Sequence, residues 1–216
     1  MPVKKEGYIK FSFNMKENKP VAENKITELN YYRQKCFALN LIGVNKSGEQ
    51  KGVGFGNISV KDGDDFIISG AQTGRLEILT NKHYSRITGY DLSKNRVTCQ
   101  GVIPPSSEAM THAAVYDSDS SVKAVIHIHN KHTWDYLSKQ DVPKTSKDAE
   151  YGTPEMGNEV QRLLKDTDAS QKKIIVMKGH EQGVLVFGDS LREAYYVLMK
   201  YYTASKGRLD ITVSLT

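Results

Sequence analysis

Apolar positions along this chain follow two periods, one close to 3.6 residues and one of 2, and the two alternate without a long polar gap between them. From Ala22 to Leu41, Ile26, Leu29, the stem of Arg33, Cys36, Phe37 and Leu41 recur at helical spacing, with a left-handed stop expected near Gly43. G-V-G-F-G-N-I-S-V (52–60), a turn at K-D-G-D-D (61–65) and the strand F-I-I-S (66–69) form a hairpin rather than a strand–helix–strand unit. The spacing predicts a short helix over Thr80–Ile87, a turn at 91–96 and a strand over Val97–Val102. A helix over Glu108–Asp117 follows, capped by Ser106 or Ser107, then a strand over Val122–Ile128. Thr153 caps a helix to Lys165, with Pro154 at its first position and Glu155 in its first turn. Ile174–Met177 and Gly183–Phe187 read as a strand pair. Ser190 and Glu193 make a capping box for a last helix through Tyr195, Leu198, Met199 and Tyr202. Residues 1–23 are polar and lysine-rich, with a Tyr8–Phe13 alternation fit for an edge strand. Neighbouring strands with helices around them give an α/β domain with a largely antiparallel sheet.

Composition narrows the class. A chain of 216 residues is long enough for one domain to bury its core without staples. No apolar run is long enough to span a bilayer, and no apolar segment follows the charged N-terminus as a secretory signal requires. The net charge of +5 is spread in single lysines rather than blocks, without interleaved aromatics. That argues against nucleic acid and suits a small anionic substrate. Cys36 and Cys99 lack C-x-x-C partners and read as buried thiols of a reducing compartment, the cytoplasm.

The chemistry concentrates between Pro104 and His129. His127 and His129, at i and i+2 of an apolar strand, project from one face and could aim both rings at one ion. By spacing alone such a pair is more often two ordinary histidines. Glu108, a carboxylate suited to general-base work, and His180, after the apolar run 174–177, shift the balance toward a catalytic divalent metal with three nitrogen ligands and an open position. His112 and His132 lie close in sequence, so a count of histidines does not decide which ones bind. Ser106 and Ser107 open a helix whose free N–H groups suit an anion, or they simply cap it. The turns G-F-G-N-I-S (54–59) and S-G-A-Q-T-G (69–74) expose backbone amides that could cradle a phosphate, although a plain glycine hairpin accounts for each taken singly. Tyr195, Tyr196, Tyr201 and Tyr202 at helical spacing read as core and subunit-contact aromatics.

Taken in order, G-N-I-S, T-G, P-S-S-E-x-x-x-H, H-x-H, G-T-P-E and the late G-H resemble the class II aldolase/adducin family over roughly residues 22–205, leaving 1–21 as an N-terminal extension and 22–216 as the domain. The resemblance implies a three-layer α/β/α domain and a four-fold homotetramer with active sites at subunit borders. It implies one zinc, or another divalent metal, per subunit on His127, His129 and His180, with Glu108 as the acid/base. Gly56, Asn57, Thr73, Gly74, Ser106 and Ser107 would hold the phosphate of a small sugar substrate. The implied chemistry is carbon–carbon lysis of a phosphorylated ketose through a zinc-stabilised enediolate. Epimerase or dehydratase activity, or a non-catalytic adducin-like scaffold, are the alternatives. Retention of the ligands and a Glu after P-S-S favour the aldolase. Glu181 beside His180 and a short connection from His129 to Gly152 set this chain apart, and that connection offers Tyr136 and Tyr151 where the family's aldolases carry a catalytic tyrosine.

Overall fold

A computed structural model describes residues 7–207, and the lysine-rich start of the chain lies outside them. In chain order the elements are β1 (Ser12–Glu17), α1 (Thr27–Ala38), β2 (Gly43–Val44), β3 (Gly54–Phe55), β4 (Asn57–Asp62), β5 (Asp65–Ser69), β6 (Tyr84–Asp91), β7 (Arg96–Gly101), α2 (Ala109–Ser118), β8 (Ala124–His129), α3 (Lys131–Ser138), α4 (Pro154–Asp166), α5 (Ala169–Lys172), β9 (Ile174–Val176), β10 (Gly183–Gly188) and α6 (Leu191–Ser205). Eight strands form one sheet in the order β1-β7-β6-β5-β4-β8-β10-β9, antiparallel throughout except for the parallel pair β1–β7.

Strand alternation sends side chains to two cores. Phe66, Ile68, Val125, Leu185 and Phe187 pack against α2 and α4 on one face. Ile58, Ile67, Ile126, Ile128 and Val186 pack against α1 and α6 on the other. The result is the expected three-layer α/β/α arrangement with a mainly antiparallel sheet. Both cysteines are buried free thiols.

Local chemistry moves several boundaries. Helix α1 stops at Ala38, and Asn40 rather than Gly43 supplies the left-handed residue, at φ 55°, while Gly43 enters β2. Only Asn81–His83 of the expected 80–87 helix is helical, as one 3₁₀ turn. Tyr84–Ile87 is strand, because β5 and β7 satisfy its backbone from both sides. The edge strand starts at Ser12 rather than Tyr8. Helix α2 begins at Ala109 with Glu108 at the N-cap, and neither serine caps it by its side chain. Thr153 precedes α4 without a capping bond, its hydroxyl donating to the Glu150 carbonyl instead. Ser190 does cap α6 by accepting from the Glu193 amide at 3.2 Å, while Glu193 accepts from the Asp189 amide, one residue before the box position. Helix α3, capped by the Asn130 side chain, has no counterpart in the sequence pattern.

Candidate metal centre and active site

Strand β8 lies between β4 and β10, with His127 opposite Asn57 on one side and Leu185 on the other, and His129 opposite Gly183. Its alternation turns Ile126 and Ile128 into the α1/α6 core and both histidines to the α2 face. The two rings meet Nε2 to Nε2 at 3.0 Å. His180 reaches the same point from the turn between β9 and β10, where its amide donates to the Met177 carbonyl. Its ring stacks on His127 with 5.1 Å between centroids, and a ligand atom from each of the three lies within 4.8 Å of the others. All three are buried.

Three imidazoles that converge away from solvent fit a divalent cation. Two nitrogens about 2.05 Å from a tetrahedral ion stand about 3.3 Å apart, close to the observed spacing. Burial holds His127 well below its usual pKa, and the positive tendency of His129 adds to this, so its ring is neutral and has a lone pair to give. His112 and His132 do not join them. His112 bonds Ser59, and His132 Nε2 contacts the Ser205 carbonyl at 2.6 Å.

Glu108 sits where the segment 104–106 is tied to the end of β5. Ala71 donates to Pro104, Ser106 donates to Ser69, and Gly70 bridges Pro105. This brings the N-terminus of α2 against the 70–74 turn. The Glu108 carboxylate is 2% exposed, accepts from Thr111 Oγ1 at 2.6 Å and lies 3.1 Å from His180 Nδ1. Burial opposes its charge, but the His180 contact, with smaller help from His127 and Thr111, holds its pKa down at about 2.

Beside these groups lies a narrow cleft lined by Gly56, Asn57, Gly74, Ser106, Ser107, Glu108 and the three histidines. Thr73 is the one predicted anion-binding residue outside its lining, its hydroxyl spent on the Gly70 carbonyl at 2.8 Å. Glycine is required at two points. Gly56 has φ 73°, and a Cβ at Gly74 would stand 2.4 Å from the Phe55 carbonyl oxygen.

Three contributors, Gln72, Arg33 and Lys10, escaped sequence reasoning, and the structure chooses between the two tyrosines that the sequence offered. Gln72, at φ 60°, accepts from the Gly54 amide and donates to the Gly7 carbonyl, so the segment ahead of β1 walls the cleft. Arg33, fully buried on α1, donates to the carbonyls of Thr73, Gly74 and Glu77 and thereby braces the anion-site turn from behind. Tyr151 stacks on His180 at 4.5 Å between centroids, and Lys10 Nζ lies 3.9 Å from the centroid of the same ring. It also lines a second cleft of ≈ 850 Å³ that shares His180, whereas Tyr136 packs against the α1/α6 core. Tyr151 stands directly before the G-T-P-E motif. Arg33 at an apolar helical position was the single other signal.

A family profile described as Class II Aldolase and Adducin N-terminal domain matches residues 49–207. No curated protein sequence matches the chain. Among solved structures, an L-fuculose 1-phosphate aldolase superposes with TM-score 0.66 at 18% identity, over 91% of this chain and 92% of that one. A sugar-phosphate aldolase from Thermotoga maritima gives TM-score 0.64 at 14% identity, over 86% and 94%. The l-fuculose-1-phosphate aldolase from Thermus thermophilus gives 0.62 at 17%, over 87% and 94%. At these identities the likeness is one of fold.

Proposed function

From the premise that this chain belongs to the class II aldolase and adducin family, we propose that it is a metal-dependent carbon–carbon lyase acting on a small phosphorylated ketose or a related hydroxy-carbonyl compound. The observation that carries this reading is the convergence of His127, His129 and His180 on one buried point, with the Glu108 carboxylate against the third ring. An adducin-like scaffold has no need of a buried imidazole trio beside a cleft.

His127, His129 and His180 hold the cation, and three nitrogen donors favour zinc, one per chain. When bound, the ion supplies Lewis acidity for negative charge developing on adjacent carbonyl and hydroxyl oxygens. The hydroxyls of Ser106 and Ser107, the amides of the α2 N-terminus and the backbone around Gly56, Asn57, Thr73 and Gly74 bind and orient the phosphate. Glu108, a carboxylate at neutral pH, moves the proton at the carbon next to the carbonyl: it takes it in bond formation and returns it after cleavage. Tyr151 and Phe55 wall the histidines from water. Three of the similar structures are named as sugar-phosphate aldolases, which supports the substrate class. The same reading includes a cytoplasmic homotetramer with active sites at subunit borders.

The test is a panel of ketose phosphates incubated with zinc-loaded protein and assayed for released aldehyde. Zinc-dependent release from at least one member is the expected result. No release from any member, with zinc bound, would overturn the lyase reading.

A further inference from the structure

Helix α2 carries a polar stripe that the proposed chemistry leaves unused. Glu108, His112 and Tyr116 recur every fourth residue and therefore share one face, and that face lies on β4. His112 is fully buried. Its Nδ1 stands 2.7 Å from Ser59 Oγ, and the same oxygen is 2.7 Å from Tyr116 Oη. Ser59 is two residues beyond Asn57 and on the same face of β4, so the trio continues the floor of the cleft into the interior. The opposite ring nitrogen, His112 Nε2, is buried with no hydrogen-bond partner among the described residues.

A buried ring nitrogen left without a partner is destabilising, so its retention calls for a use. The hydroxyls decide which nitrogen holds the proton. If Tyr116 donates to Ser59 and Ser59 donates to Nδ1, both hydroxyls are satisfied and the proton resides on Nε2. In the reverse order the Tyr116 hydroxyl proton has no acceptor. Burial keeps the ring neutral, and the Glu108 charge favours a proton on it. Glu108 and His127 both lie within electrostatic reach of the ring.

We propose that His112 is a positioning residue for Glu108, fixed by the Tyr116–Ser59 relay as the Nε2–H tautomer so that a neutral donor backs the carboxylate when it turns from His180 toward substrate. No proton leaves the relay. Its role is to keep Glu108 aimed between turnovers, and the proposal rests on the reading of Glu108 as the proton carrier.

Two measurements test it. In zinc-loaded protein with ¹⁵N-labelled histidine, long-range ¹H–¹⁵N spectra should show His112 with its proton on Nε2, and Tyr116→Phe should shift it toward a mixture of tautomers. A wild-type His112 protonated on Nδ1, or one unaffected by Tyr116→Phe, would overturn the relay. On a turned-over ketose phosphate, His112→Leu should lower kcat about 10- to 100-fold with KM within about two-fold, as for removal of an orienting partner. His112→Gln, whose amide still donates, should recover part of that loss. Equal loss in both variants, or a change confined to KM, would reject the positioning role. If no ketose phosphate is turned over, the lyase reading fails and the proposal with it, while the spectra still report separately whether the relay exists.

Discussion

Glu108 Oε1 lies 3.1 Å from His180 Nδ1, so the residue at the N-cap of α2 and the residue in the β9–β10 turn meet although 72 positions separate them in the chain, 180 − 108. A histidine engaged by a carboxylate through Nδ1 has its ring orientation fixed and its other nitrogen made a better donor to a cation. The same contact draws the carboxylate pKa down, so one interaction prepares both groups.

Metal content follows from the histidine cluster. Wild-type protein is expected to carry about one zinc per chain by elemental analysis, and the His127→Ala, His129→Ala double variant almost none. His132→Ala serves as control, because that ring meets the Ser205 carbonyl at the end of α6 and stands outside the cluster, and it should retain the metal. Metal retained in full by the double variant would remove the assignment.

Glu108→Gln is expected to lower kcat by about 10²- to 10⁴-fold, the usual cost of losing a general base, with zinc still bound. A solvent-exposed group on the cleft wall would leave stability untouched. Glu108 is instead buried and bonded to Thr111 and His180. A further loss of about 1–3 kcal/mol in denaturant unfolding is therefore expected. Unchanged turnover with lowered stability would make it a structural residue.

Stability should fall in mild acid. Burial holds His112 at a pKa of about 3, below the ~6.5 of an unfolded histidine. Between those values the unfolded chain binds the extra proton, so stability is complete above pH ~6.5 and declines as pH drops, by up to about 1.4 kcal/mol per pH unit for one such group. Urea midpoints at pH 7.5, 6 and 5 should fall in that order, and less steeply in His112→Gln. Parallel slopes in the two proteins would contradict this account.

Arg33→Met should destabilise by roughly 2–4 kcal/mol, since three carbonyls of the 73–77 turn lose a charged donor. Because that turn belongs to the proposed phosphate site, KM should rise more than kcat falls. Isothermal titration with inorganic phosphate gives a readout that does not depend on turnover, and undiminished binding would separate Arg33 from the site.

Where a residue's own neighbours decide its conformation, the sequence was readable. Pro154 sets the start of α4, Ser190 caps α6, and alternation in β8 puts His127 and His129 on one face. Where remote partners decide, it was not. Tyr84–Ile87 has a helix-compatible spacing but is held as strand by β5 and β7, and the parallel partner of β1 comes from a segment more than 80 residues away. Asn40 took the left-handed turn expected of Gly43 because the chain must reverse earlier to enter β2.

By itself the sequence determined the kinds of groups available: the i, i+2 histidine pair, the serine-glutamate helix start, the glycines of the anion turns and the late His180. These depend on periodicity and backbone freedom, which are properties of a few consecutive residues. The tertiary structure brought His180, already named from the sequence, onto the other two rings and left His112 and His132 apart, and it alone decided that Tyr151 rather than Tyr136 covers the trio and that Arg33 and Gln72 hold the cleft's rim. Those outcomes depend on which strands pair and which helix face lies on them. Burial then makes each choice firm, because a polar group removed from water is stable only where its partners have been brought to meet it.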